Sequence, residues 1–600
     1  MKKILLTNNS VFINSQYDEI YTDSPFVVEN CNNAKYLNEL LNAEYHDKII
    51  EIRKKGVELN QKIIEEFFPH YKNDNVSIFD INQKYTNIFT NVYKLLRLIN
   101  CYPDHEITIA VSVDELYDYD SFNIVDRFVN VYYWIVEISN IQNIKLICKD
   151  LKRDDLHQDH IPINSWFLRL IDLDKKVLLL SLRKLFKLHK KKDQKVYIYK
   201  SSNVIREIEP YLHDLGFSYE SMPKINTVIK KIPNTYDEKK IHNIINDLFD
   251  NNLLEDTFKF VACAIYKKIV KLYLNREEVL DEYINGLNKN IKTIVTNTIF
   301  DFDRLILKKK LKDKGIKIII VLHGLTENYR IKSYLYGFKY SDIDMLLCFN
   351  QSEKKSFKEF DPNVLVYPIS SVQEAKKPRF NNFKRFFVNK KLKISDKINV
   401  FYVSLSWPLN NQTTYQVRST DEKIYNFDKK IINLLSCINK RAIYKNYPRR
   451  NYIDSNPINE YAKKFKNIKT IEGDFDFRYI NSIGDVFIIS VIGNASTLTW
   501  MINLGKPIIY LYTSKSEFLN KEALDLVKKF LIFVDMDTNN WENNFKNIIN
   551  KPYKELKSIW EDKKIYRDKY DEEWLTGKNL HAGKLGAKYI KEFILHNTQK

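Results

Sequence analysis

The feature that most constrains this chain is a recurrence of short β-branched and aliphatic runs, each followed by a polar turn and a helix-sized interval. In the first half these runs are Lys3–Thr7, Ile107–Val113, Ile144–Cys148, Lys195–Tyr199, Thr293–Thr296, Lys317–Leu322, Met345–Phe349 and Val364–Tyr367. In the second half they are Asn399–Ser404, Ala442–Lys445, Val486–Ser490, Pro507–Tyr512 and Leu531–Val534. Runs that are apolar throughout, rather than alternating, belong to strands covered on both faces, and strands separated by helices pair in parallel. The pattern predicts an α/β architecture.

At 600 residues the chain exceeds the size at which one core stops growing, so it divides into at least two domains. The division is expected at 376–397, a stretch rich in Lys, Arg, Asn and Phe that lacks aliphatic periodicity and carries Pro378 near its start. The reading is therefore an N-terminal α/β domain over 1–375 with helical insertions, a basic linker over 376–397 and a second α/β domain over 398–552. A helical tail over 553–600, interrupted at Gly577 and Gly583, is placed to cross back to the first domain.

Composition excludes some classes. No stretch approaches the roughly 18 uninterrupted apolar residues of a membrane span, and the start Met1–Asn9 lacks the cleavage site of a secretory signal. The expected compartment is the cytoplasm, with the six widely separated cysteines reduced and structural. The formal charge of +19 points to an anionic partner: nucleic acid, an acidic membrane leaflet or a phosphorylated substrate. A coding bias towards Lys, Asn and Ile, with only 13 glycines, accounts for part of that excess.

Three strand ends carry the candidate chemistry. The stretch from Asp485 to Met501 reads as a buried strand, a small-residue loop and a helix that Gly505 closes in the left-handed conformation, before Pro507 opens the next strand. Asn494, Ser496 and Thr497 then stand beside the unpaired N–H groups at the positive end of the helix, a place suited to an anion. Upstream, the strand Ala442–Lys445 runs into a basic turn through Tyr447, Pro448, Arg449 and Arg450, in which Lys445, Arg449 and Arg450 are candidate phosphate ligands. In the first half, the strand over 318–322 runs into His323 and Gly324, with Glu327 close behind. His323 suits acid–base chemistry near neutral pH, and Gly324 lets a substrate approach the backbone. Asp342 and Asp344 precede a strand and are assigned no chemistry.

The segment from Asp485 to Leu511 resembles the donor-site segment of GT-B glycosyltransferases, especially bacterial surface-carbohydrate enzymes of the capsule and O-antigen type. The basic turn resembles their Lys-x-His-Pro segment, with Tyr447 where those families carry histidine, and His323-Gly324 resembles their His-Gly turn. Trp500 stands near a position often held by glutamate. The likeness covers about 315–515.

It implies two Rossmann-like domains facing a cleft, and transfer of a sugar from a nucleotide donor, CMP-linked Kdo-like or sialic-acid-like sugars among the candidates, to a cell-surface glycan. Lys445, Arg449, Arg450, Asn494, Ser496 and Thr497 would hold the donor phosphates. His323 is the favoured base, with Asp114 and Glu115 as alternatives because they follow the strand Ile107–Val113. Gly324 and Glu327 would lie towards the acceptor. No cofactor and no metal are expected, because no carboxylate pair follows a strand in the donor region.

Lipid-linked acceptors would bring the protein to the inner face of the cytoplasmic membrane, and the basic, amphipathic segment Val177–Lys190 is a candidate interfacial element. Alternatives are a polyol-phosphate transferase using a CDP-glycerol-type donor on the same fold, an inactive scaffold, or a nucleic-acid-binding basic protein. The last is disfavoured, since the aromatics of Phe380–Lys393 fall in the expected linker rather than on a sheet face.

Overall fold

The computed structural model describes residues 2–40, 44–69, 91–112, 128–151, 194–223, 236–249, 256–287, 290–297, 302–322, 343–371, 381–394, 397–404, 421–445, 454, 456–471, 477–490, 496–514, 520–577 and 581–598. These form three sheets, and every ladder within them is parallel.

Sheet A contains β1 (Lys3–Thr7), β2 (Glu19–Thr22), β3 (Ala34–Tyr36), β4 (Glu106–Ser112) and β5 (Ile144–Lys149), in the order β3-β2-β1-β4-β5. Sheet B contains β6 (Gln194–Lys200), β7 (Phe217–Ser221), β8 (Thr293–Thr296), β9 (Lys317–Val321), β10 (Met345–Cys348) and β11 (Leu365–Pro368), in the order β11-β10-β9-β8-β6-β7. Sheet C contains β12 (Asn399–Val403), β13 (Arg441–Lys445), β14 (Ile468–Ile471), β15 (Val486–Ile489), β16 (Ile508–Tyr512) and β17 (Ile532–Asp535), in the order β14-β13-β12-β15-β16-β17.

The helices between and around these strands include α1 (Pro25–Asn30), α2 (Glu44–Phe67), α3 (Phe128–Ser139), α4 (Asn203–Asp214), α5 (Glu238–Leu248), α6 (Asp256–Asn285) and α7 (Asn381–Leu392). The later ones are α8 (Asp421–Ser436), α9 (Pro457–Lys463), α10 (Phe477–Ile480), α11 (Ser496–Leu504), α12 (Lys564–Trp574) and α13 (Ala582–Thr598).

The stretch expected to be one N-terminal α/β domain thus holds two sheets. They share a core: α2 packs on α5 and α3 on α6, and the Tyr266 hydroxyl donates to Asn60 Oδ1 at 2.6 Å between them. Ile4, Leu6 and Ile109 of sheet A and Ile319, Leu346 and Leu347 of sheet B consequently belong to one apolar cluster. Sheet C is covered on both faces. Phe401, Ile443, Phe487 and Ile489 enter one cluster with α7, α10 and α11, while Tyr402, Tyr444 and Ile488 enter the other with α8, as the alternation of side chains along a strand requires.

Two expectations are corrected here. The 376–397 stretch does not remain a linker: its described part contains α7, which buries Val388 and Leu392 in the core of sheet C. Its periodicity was hidden because the third position of that buried stripe is Lys384, whose ammonium-bearing side chain is itself buried. Gly583 does not interrupt the tail but lies inside α13. A Cβ there would collide with the carbonyl of Glu207, and one on Gly586 would come within 2.6 Å of Ile208, so these glycines let α13 lie close against α4. Gly577, with φ of +57°, makes the turn ahead of it. Tyr589 of α13 stacks on Tyr367 of sheet B at 4.1 Å, and Asn350 donates to the carbonyls of Trp574 and Leu575, both at 3.0 Å. The tail therefore joins the third sheet to the second.

Candidate functional site

The order of sheet C reverses between β12 and β15: β13 and β14 are added on one side of β12, and β15, β16 and β17 on the other. A doubly wound sheet leaves a crevice at the carboxyl ends of the two strands flanking such a point, because the connections there leave for opposite faces. The chain passes from β15 through Ser490 towards α11, which begins at Ser496 and runs to Leu504. Gly505 ends it with φ of +65°, and β16 begins at Ile508. Strand, helix and stop follow the pattern expected from Asp485 to Tyr512.

Lys445 is the last residue of β13 and is 2% exposed. It shares the face of Ile443, two residues earlier, and Ile443 lies in the same apolar cluster as Leu498 and Met501 of α11. Lys445 and the first turn of α11, with half-buried Thr497, therefore lie on one face of sheet C. On that face Arg478 of α10 stacks over the indole of Trp500, 4.9 Å from the ring centroid, and Phe477 lies parallel to the same ring at 6.4 Å. Sequence reasoning missed Arg478, since it sits in a four-residue helix without a periodic signature.

The opposite face of the same strand ends holds a buried polar network. Asp428 of α8 has no solvent exposure. It accepts from the Tyr402 hydroxyl at 2.5 Å, from the Tyr444 hydroxyl at 3.1 Å and from the Ser404 hydroxyl. Burial pushes its carboxyl up to about 6, against the lowering effect of the three hydroxyls. Tyr402 and Tyr444 belong to β12 and β13, so the network ties both strand ends to α8. It also fixes the backbone from which Lys445 projects, since the Ser404 N–H donates to the Lys445 carbonyl at 3.0 Å. Only Asp428's isolation in an amphipathic helix could have signalled this from sequence, and that pattern is not distinctive.

The carboxyl ends of sheets A and C meet. Ser10, just after β1, donates from its N–H to Asp454 Oδ2 at 2.8 Å and from its hydroxyl to Oδ1 at 2.6 Å. Burial raises the Asp454 carboxyl, opposed by these two bonds. Lys429 of α8 pairs with Glu29 of α1 at 2.9 Å, and α1 also packs on α9.

Asp485, at the start of the donor-segment strand, works at the other end of sheet C. It binds Arg385 of α7 through both oxygens at 2.6 and 3.0 Å and accepts the Asn399 N–H at 2.9 Å. Asp344, assigned no chemistry, accepts from the Ile318 N–H at 2.9 Å and pairs with Lys317 at 3.1 Å. His323, Gly324, Glu327, Asp114, Glu115, Arg449, Arg450 and Asn494 lie outside the described residues, as do Asp342, the Ser496 side chain and the Val177–Lys190 segment. Of the described cysteines, Cys263 and Cys348 are buried and Cys101, Cys148 and Cys437 are exposed, and none of the described cysteines forms a disulfide. Among the described residues no group of three or more His, Cys, Asp or Glu side chains is arranged to hold a metal ion. No described helix is long and apolar enough to cross a membrane.

No family model and no curated protein matches this chain. Solved structures resemble it at low superposition. Alr3699/HepE from Anabaena, in complex with UDP and glucose, is 9% identical, with a TM-score of 0.38 over 66% of this chain and 99% of that one. A glycosyltransferase from Rickettsia africae is 13% identical, with a TM-score of 0.38 over 67% and 99%. WaaG, a glycosyltransferase involved in lipopolysaccharide biosynthesis, is 11% identical, with a TM-score of 0.34 over 66% and 99%. At these values the likeness carries no residue or ligand of theirs onto this chain.

Proposed function

We propose that this chain is a glycosyltransferase whose nucleotide-activated donor binds with its phosphates at the β12–β15 reversal of sheet C. One observation carries the reading: a buried lysine, Lys445, and the first turn of α11 lie on the same face at the carboxyl end of that reversal. Sugar transfer needs a leaving phosphate to be stabilised as its negative charge develops. An N–H-rich helix start and a cation held out of water act on that charge without reorganising. Ser496 and Thr497 are the hydroxyls of that turn, and Arg478 is a further cation on the same face. Arg449, Arg450 and Asn494 follow the same strand ends in sequence and complete the proposed donor set.

The acceptor is assigned to the N-terminal half. His323 comes two residues after the β9 end in sequence and is the favoured base for the acceptor hydroxyl, with Asp114 and Glu115 after β4 as the alternatives. The proposed acceptor is a cell-surface glycan.

The test is a thermal-shift series with CMP, CDP, UDP and GDP and their sugar conjugates. A ligand that binds only the folded state raises Tm, by the equivalent of about 2.7 kcal/mol at a hundredfold excess over Kd. We expect one nucleotide class to raise Tm, and absence of any shift across the series would remove the reading. If instead CMP were released with phosphate retained in the product, the reaction would be polyol-phosphate transfer at the same site.

A further inference from the structure

We propose that the outward face of α7 docks on an anionic lipid surface. α7 is anchored from one side, through Val388 and Leu392 in the core of sheet C and through the Arg385–Asp485 pair. Its other side carries Phe383, 49% exposed, and Phe386, 67% exposed. Exposed Lys390 follows along the same stripe, and exposed Lys393 continues it just past the helix end, at spacings of three, four and three residues. Lys391 is also exposed, with its ammonium 6.0 Å from the Phe387 ring centroid.

The charge of this face has one sign. From Lys376 to Ile394 the sequence has eight lysines and arginines and no carboxylate. Arg385 is committed to Asp485 and Lys384 is buried, and among the described residues of this stretch Lys390, Lys391 and Lys393 face outward. Two phenyl rings standing in water one helical turn apart, next to lysines, match the chemistry of a membrane interface. There the rings enter the acyl boundary and the ammonium groups stay among anionic headgroups. A nucleic acid fits this face less well: bases stack on rings presented by a sheet or groove, and these rings project from the convex side of a helix.

The inference is independent of the transferase reading, because lipid binding is measured without nucleotide. The full chain is sedimented with vesicles of phosphatidylcholine, with and without phosphatidylglycerol. We expect binding to the mixed vesicles only, weakening as salt is raised. Phe383→Ser with Phe386→Ser should lower partitioning by about tenfold or more, from the apolar area lost. Lys390→Gln with Lys393→Gln should lower it by about tenfold and flatten the salt dependence. Both variants should melt at the wild-type temperature, since every substituted side chain is exposed. Wild-type partitioning in either variant, equal binding to neutral vesicles, or no binding to either vesicle would overturn the proposal. So would single-stranded RNA binding that depends on Phe386 in a chain that leaves vesicles untouched.

Discussion

Asp428 shows what one residue does on the face of sheet C opposite the proposed donor site. Its carboxyl is raised to about 6 in the folded state by burial, above the ordinary value of an unfolded aspartate. The folded state therefore holds this proton more tightly, and the associated stability is complete below about pH 4 and is lost as pH rises to about 6. The shift corresponds to roughly 3 kcal/mol at most. Urea unfolding across that window should show this decline, and Asp428→Asn should lack it; an unchanged slope would mean the carboxyl titrates normally. The variant should also lower overall stability, because an amide nitrogen cannot accept from the hydroxyls that now meet the second carboxylate oxygen. At the proposed phosphate site, Ser496→Ala with Thr497→Ala removes two hydroxyls. Hydrogen bonds to charged groups contribute about 1.5–3 kcal/mol each, so nucleotide affinity measured by calorimetry should fall at least tenfold. Wild-type affinity would move the phosphates elsewhere. The place of Thr497 in the first turn of α11 was legible in sequence because a hydroxyl before an apolar run is a local signal. Asp428, Arg478 and Asp454 were not, because their partners lie 24, 22 and 444 residues away.

Among the elements, the internal strands of each sheet were legible almost residue for residue. Thr293–Thr296 and Lys3–Thr7 have the expected bounds, and β12, β15 and β16 differ by one residue at an end. These strands are buried on both faces and read as continuous apolar runs. The strands that escaped notice are β2, β3, β7 and β14, and the last three are sheet edges. With a half-wet surface, an edge such as Phe217–Ser221 keeps an alternating, polar composition that resembles a turn. The tail helix tests packing at this scale. Gly583→Val puts a branched side chain where even a Cβ meets the Glu207 carbonyl, so α13 must lift from α4. We expect a loss of about 2–4 kcal/mol by denaturant titration, and a wild-type midpoint would show that the helices do not pack this closely in solution.

For the molecule as a whole, the Ser10–Asp454 bonds join the first sheet to the third. Asp454→Ala leaves two donors on Ser10 unmet and should cost about 1–2 kcal/mol. Its clearer readout is local: amide exchange at Ser10 should quicken by tenfold or more while the core strands keep their protection. Unchanged exchange there would mean the two sheets are held by other contacts. The sequence alone determined the α/β class, the parallel strands, the Gly505 helix stop and the strand ends where chemistry was to be sought, because each rests on hydrophobic periodicity or backbone preference within a few residues. It read 1–375 as one unit and 376–397 as a linker, since nothing local separates β5 from β6 into different sheets or marks a buried lysine as part of a helix core. Those were settled by tertiary structure alone: the number of sheets, the reversal between β12 and β15, the Asp428 network and the return of α13. Each depends on contacts between segments far apart in the chain, whose free energy exists only once the layers have closed on one another.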